Sequence, residues 1–372
     1  MIETFRELVK DPAAIAARWK AQGGKVVGCR CLYVPEEIVW AAGMLPLPLY
    51  GTPEPVSLAD SYFQSCTCEF VRNLFDQALQ GKLDFLDGVA LANTCDVIRH
   101  LLDMWNQYIP GAPACMINNP QKVGGEDNRQ YYLEELKRFR TKMEELSGNQ
   151  VTDEKLQEAI DLYNETRRLL SKLYELRKQD PPPLSGQEAF EVARAAAMLP
   201  KDQANPLLRT LLEQLGAGTA VGAERGGKPR ILVTGSLIDH PALIRIVEEQ
   251  GGTVVVDDLC TTSRTFARLV EEDADPIEAL YRYFNGRPLC ACMHPEEARL
   301  GHLQAQVEEF RVAAVINFNL KYCHPSLYEA PNLQKALQAR GIPSIALEVG
   351  HDLSGHGQIA TRIQAFLEMV SL

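Results

Sequence analysis

The stretch "LDGVALANTCDVIRHLLDMWNQY", Leu86–Tyr108, carries two periodicities in succession. Its first part, "DGVALA" (87–92), is a short apolar run of the kind that fills a strand buried on both faces. After Cys95, the apolar residues Val97, Ile98, Leu101, Leu102 and Trp105 fall on one face of a helix. A buried strand feeding a helix is the unit of a parallel α/β layer, because parallel strands need a crossover between them. The same stretch sets Cys95 at a helix start, just beyond a strand.

The alternation extends in both directions. Upstream, "KVVGC" (25–29), "PEEIVWAAG" (35–43) and "LPLPLYG" (45–51) read as strand, helix and strand. From Glu126 the pattern changes to charged helices, "NRQYYLEELKRFRTKMEEL" (128–146) and "DEKLQEAIDLYNETRRLLSKLYELRKQ" (153–179), stopped by "DPPPLSG" (180–186). Their charge runs read as solvated faces. Beyond "GAGTAVGAERGGKP" (216–229), a second α/β pattern starts with "RILVTGS" (230–236), "PALIRIVEEQG" (241–251) and "TVVVDD" (253–258). The expected organisation is an N-terminal α/β domain over 1–125, a helical region and linker over 126–225, and a C-terminal α/β domain over 226–372.

The chain's 372 residues, 46% of them hydrophobic, suffice for sizeable cores, and its net charge of -11 argues against nucleic-acid and anionic-membrane partners. No apolar run approaches the roughly 20 residues of a spanning helix, and "MIETFRELVKDPAAIAARWK" (1–20) lacks a signal peptide's apolar core. A soluble cytoplasmic protein is expected. "RGGKPR" (225–230) precedes its strand and has no Ser or Thr after the lysine, so it is not a nucleotide-binding P-loop.

Ten cysteines are many for a reducing compartment, where thiols serve packing, metal binding or redox chemistry. Cys68 repeats the situation of Cys95, preceding Phe70, Val71, Leu74 and Phe75 on one helical face. The positive end of a helix dipole favours the thiolate, the form that binds metal. Cys260 and Cys323 lie just beyond strands, where the loops of a parallel layer converge on ligands. Three Cys-x-Cys pairs complete the set: Cys29 with Cys31, Cys66 with Cys68, and Cys290 with Cys292. Cys115, inside "PACMIN", reads as packing, while Cys260 stays open between packing and the rim of a site. None of the pairs has the spacing of a structural zinc clip, whereas iron–sulfur clusters also take thiolates from scattered loops. Glu36, Glu37 and His351 are candidate proton donors by polarity and loop position alone.

"VPEEIVWAAGMLPLPLYG" (34–51), the long segment 59–105 around Cys68 and Cys95, "VVVDDLCTTSR" (254–264) and "FNLKYCHPSLYEAPNLQKAL" (318–337) together resemble the 2-hydroxyacyl-CoA dehydratase and benzoyl-CoA reductase family of iron–sulfur subunits. The resemblance runs over nearly the whole chain. It implies two Rossmann-like α/β domains with a helical part, and a cubane cluster between the domains held by Cys68, Cys95 and Cys323. It further implies a separate ATP-hydrolysing iron–sulfur activator as electron donor, and a homodimer.

The remaining thiols exceed what one cubane needs. Adding Cys66, one of Cys29 and Cys31, and one of Cys290 and Cys292 gives six, which is similar to the double-cubane cluster branch of the family. The preferred expectation is therefore a reductase that takes low-potential electrons from the activator and reduces a small molecule at an [8Fe-9S] double cubane. The alternatives are a single [4Fe-4S] subunit of a 2-hydroxyacyl-CoA dehydratase or benzoyl-CoA reductase, and a non-catalytic cluster carrier or zinc-stabilised scaffold.

Overall fold

The computed structural model describes residues 1–217, 227–272, 274–352 and 355–371. The linker expected over 216–229 lies largely outside the described residues.

Two helices, α1 (Ile2–Val9) and α2 (Pro12–Lys20), precede the first α/β layer. That layer runs β1 (Lys25–Arg30), α3 (Glu36–Ala41), β2 (Met44–Pro48), α4 (Glu69–Leu79), β3 (Gly88–Ala92), α5 (Asp96–Tyr108) and β4 (Ala114–Ile117). Four long helices follow: α6 (Glu126–Ser147), α7 (Asp153–Leu176), α8 (Gly186–Met198) and α9 (Lys201–Gly216). The second layer is β5 (Arg230–Gly235), α10 (Ala242–Glu249), β6 (Thr253–Asp258), α11 (Pro276–Gly286), α12 (Glu296–Glu309), β7 (Ala314–Leu320), α13 (His324–Gln338), β8 (Ser344–Val349) and α14 (His356–Val370).

Each layer holds a four-stranded, wholly parallel sheet, ordered β2-β1-β3-β4 in the first and β6-β5-β7-β8 in the second. Both halves are thus Rossmann-like and share one topology. In each, the chain leaves the first strand to one side and returns on the other. The strand order therefore reverses between β1 and β3, and again between β5 and β7. Such a reversal opens a crevice outside the carboxyl ends of the two central strands, where ligands of open α/β sheets collect.

The strands are apolar because both of their faces are covered. All five residues of β3 and all seven of β7 are buried. In the first half, Trp105 of α5 is fully buried and donates its indole N–H to the Ala112 carbonyl at 2.8 Å, which satisfies the ring's one polar atom. Close approach fixes one glycine: Gly235 ends β5 at φ 147°, and a Cβ there would lie 1.8 Å from the Phe318 carbonyl oxygen of β7.

The charged helices of the insert turn most of their charges to solvent, as expected, Lys137, Glu158 and Lys172 among them, but not all. α8 packs against α1 and β2 on one side and against α10 and β6 on the other, so the helical region is wedged between the two sheets. A few of its charges follow it inward. Arg177 is buried after the end of α7 and donates to the carbonyls of Val255 (3.0 Å) and Ser185 (2.6 Å). Arg167 of α7 pairs with Glu37 of α3, both buried. Lys201 caps the carboxyl end of α8 through the carbonyls of Ala196 (3.0 Å) and Ala197 (2.8 Å). No helix among the described residues is long and apolar enough to cross a membrane.

Candidate functional site

The carboxyl ends of the two sheets face one cavity of about 470 Å³. From the first half, β1 contributes Arg30 and the following Cys31, while β3 leads through Thr94 to Cys95. From the second, β5 contributes Gly235 with Ser236 and Leu237, and β7 leads through Tyr322 to Cys323. The two strand reversals thus share a single chamber. The segment between α11 and α12 adds Cys290 and Cys292, and the end of β6 adds Cys260 and Arg264.

Three of these thiols sit at helix starts. Cys68, Cys95 and Cys323 are the N-cap residues of α4, α5 and α13. None of the three sulfurs accepts a cap hydrogen bond, but first-turn N–H groups favour the thiolate: Val71 and Phe70 at Cys68, Ile98 and Val97 at Cys95, Ser326 at Cys323. The expected pull of these helix ends towards the thiolate is present, but burial outweighs it. All three thiols are held above the ordinary cysteine range. The neighbouring thiols add to the upward push: Cys95 acts on Cys68, and Cys68 and Cys95 act on Cys323.

Cys31, Cys290 and Cys292 form the other side of the set. Burial pushes Cys31 up to about 12 against the opposing charge of Arg30, with Cys290 among its neighbours. Cys290 is the exception: the hydrogen bond with Cys292 draws it down against its burial, and the Arg264 guanidinium assists. Its partner Cys292 is pushed up by the same contact. Two residues at the rim take positive φ without being glycine, Cys31 at 95° and Tyr322 at 62°. Positive φ in non-glycine residues clusters where geometry serves function.

Of the eight cysteines expected as ligands, six line this cavity: Cys31, Cys68, Cys95, Cys290, Cys292 and Cys323. Cys29 points the other way along β1 and is buried in the core beneath, its thiol directed at the Val27 carbonyl. Cys66 is exposed, with Gln64 as its hydrogen-bond partner. Cys260, left open by the sequence, lies on the cavity wall. Cys115 packs against the core of the first half. Among the described residues, no three His, Cys, Asp or Glu side chains converge tightly enough to hold a single metal ion. The thiols are instead distributed around a chamber, a donor set suited to a multi-iron cluster with a ligand at each corner.

Two arginines on the wall carry no mark in the sequence pattern. Arg264 is held by Asp258 through two hydrogen bonds of 2.6 Å, and Asp258 also receives Arg299 at 3.2 Å and the Thr234 hydroxyl at 3.0 Å. Arg30 lies with its guanidinium 4.4 Å from the centre of the Phe70 ring. The candidate proton donors lie elsewhere. Glu36 lines a separate cavity of about 80 Å³, which is also bounded by Glu37, Arg167 and Lys201. His351 is buried and bonded to Asp239 at 3.2 Å, and Phe70 separates it from the thiols.

Residues 31–370 match the model of the family described as 2-hydroxyglutaryl-CoA dehydratase, D-component. The chain is 28% identical over 365 residues to the (R)-phenyllactyl-CoA dehydratase beta subunit of Clostridium sporogenes, covering 98% of this chain and 97% of that one. It is 29% identical over 382 residues to one of the subunits of benzoyl-CoA reductase from Thauera aromatica, with 100% and 98% covered. It is 28% identical over 375 residues to the beta subunit of (R)-2-hydroxyglutaryl-CoA dehydratase from Acidaminococcus fermentans, with 99% and 98% covered. Matched nearly end to end, and with the paired parallel sheets described above, the chain belongs to the 2-hydroxyglutaryl-CoA dehydratase D-component family.

Proposed function

We propose that this chain is an iron–sulfur reductase component that takes low-potential electrons from a separate ATP-hydrolysing activator and delivers them to a small molecule. The observation that carries the reading is the gathering of seven thiols from both halves around one chamber, Cys260 and six of the expected ligands. Three cysteines suffice for one cubane with an open iron. Six suit two cubanes that share a bridging sulfide, and the wall supplies six besides Cys260, without Cys29 or Cys66. In this reading Cys68, Cys95 and Cys323 hold one cubane, and Cys31, Cys290 and Cys292 the other.

When bound, such a cluster would supply one-electron transfer at very low potential. The chain's own residues do the rest. Helix starts at Cys68, Cys95 and Cys323 turn the positive ends of their dipoles towards the ligand sulfurs, and positive charge near a cluster raises its potential. Apolar side chains of Phe70, Val71, Ile98 and Leu320 line the chamber and lower its local dielectric. The Ser236 hydroxyl accepts the Leu320 N–H at 2.7 Å, which ties the ends of β5 and β7 together beneath the chamber.

The names of the relatives favour a second reading, in which Cys68, Cys95 and Cys323 hold a single cubane and the chain is one subunit of an acyl-CoA dehydratase or aryl-CoA reductase. Anaerobic purification with iron and acid-labile sulfide counting separates the two. About eight irons per chain are expected, about four would favour the single-cubane subunit, and zinc or no metal would overturn both. A homodimer is proposed on family resemblance, with sedimentation of the anaerobic protein as its check.

A further inference from the structure

The chamber wall carries three arginines, Arg30, Arg99 and Arg264, and two of them are already neutralised. Arg264 is clasped by Asp258, and Arg99 pairs with Asp96. Arg30 makes no ion pair with any described residue; it lies over the Phe70 ring, 4.4 Å from its centre, and its buried Nε has no hydrogen-bond partner. A cation–π contact offsets only part of the cost of desolvating a guanidinium, so the folded chain leaves a charge here that calls for a counter-charge from inside the chamber. Four thiols from both halves, Cys31, Cys68, Cys95 and Cys260, lie within electrostatic reach of it.

We propose that Arg30 is the counter-cation of the cluster, a fixed positive charge inside the chamber that raises the reduction potential and so lets the activator's electrons enter. This rests on reading the chamber as a cluster site. Each electron leaves the reduced activator, which is oxidised by one, and adds one negative charge within a wall of low dielectric. Arg30 forms and breaks no bond and keeps its proton throughout, because a guanidinium does not titrate in this range. A fixed charge that is present before the electron arrives needs no reorganisation to stabilise it.

The test is a potentiometric titration of the anaerobic holoprotein followed by electron paramagnetic resonance, with iron and sulfide counted in every sample. Wild type is compared with Arg30→Lys, which keeps the charge, and with Arg30→Gln and Arg30→Met, which remove it while Met retains packing on Phe70. The neutral variants are expected to hold full iron and to shift the one-electron equilibrium towards the oxidised form at least tenfold, about 59 mV. Lys should stay within threefold of wild type. Iron lost from the neutral variants but kept in Arg30→Lys would support the same conclusion, since charge alone separates them. Full iron with an unchanged potential in Arg30→Gln and Arg30→Met would overturn it, as would iron lost from all three variants. Wild type free of iron would sink the cluster reading itself, a result distinct from any of these.

Discussion

At the scale of single residues, the chemistry turns on which way a thiol points. Cys29 and Cys31 differ by two positions, which on a regular strand would put both on one face. The positive φ of Cys31 breaks that rule at the end of β1, sending its side chain to the chamber while Cys29 stays in the core. Cys31→Ser is therefore expected to lose about half of the bound iron, whereas Cys29→Ser and Cys66→Ser should keep all of it. Iron counting on anaerobically purified variants decides this, and full iron in Cys31→Ser would remove Cys31 from the ligand set. Cys68 and Cys95 were legible from sequence because each opens a one-faced helix, and Cys323 because it lies just beyond a strand. Cys260 qualified by its place beyond a strand but stayed open, since β6 runs into a short turn with no helical pattern to add to it. Arg30 stood in plain view within "GCRC", but an arginine's lack of a carboxylate partner is a fact of three dimensions.

At the scale of elements, periodicity revealed the strands, the helices and the insert's solvated faces, but not the few charges that the insert buries. The sequence of α7 looks like a solvated helix because its arginines and glutamates are spread along its whole length. Arg167 nevertheless points inward, since its partner Glu37 lies 130 positions away on α3, and the Tyr283 ring covers its guanidinium at 4.5 Å. No local pattern encodes such a pairing. Removing one partner of a buried pair leaves the other charged and uncompensated, a loss of about 3–5 kcal/mol. Arg167→Met should destabilise the protein by this amount in urea unfolding monitored by circular dichroism. The double change Arg167→Met with Glu37→Gln should recover much of it, because both charges are then gone. A single variant as stable as wild type would show that the pair does not hold α7 to α3.

At the scale of the whole molecule, the chamber exists only while its two halves stay in register, and one buried pair of the second half bonds across to the first. His351, beyond β8, donates its backbone N–H to Glu69 of α4 at 2.7 Å and sets Nε2 3.2 Å from Asp239, beyond β5. Asp239 in turn accepts the Gly51 N–H at 2.6 Å, and a Cβ on Gly51 would come within 2.1 Å of the imidazole. The groups facing this pair include Glu69, Asp352, Arg194, His240 and Tyr50. Burial disfavours the charged imidazole, but the hydrogen bond and charge of Asp239 prevail and raise His351 above its ordinary value. Burial likewise disfavours the Asp239 carboxylate, yet His351 outweighs it and holds Asp239 down at about 2. A raised histidine stabilises the fold below its unfolded pKa, near 6.5, and loses that contribution as pH rises through the folded value. A depressed aspartate stabilises above its unfolded pKa, near 3.9, and loses that contribution only as pH falls towards about 2. The pair therefore contributes most between about pH 4 and pH 6.5. His351→Gln should lower the thermal unfolding midpoint most in that window, by the equivalent of about 3 kcal/mol. The deficit should shrink as pH is raised towards 8. A deficit that stays constant from pH 5 to pH 8 would mean that packing against Gly51 and Phe70, rather than charge, is what His351 contributes to closing the chamber.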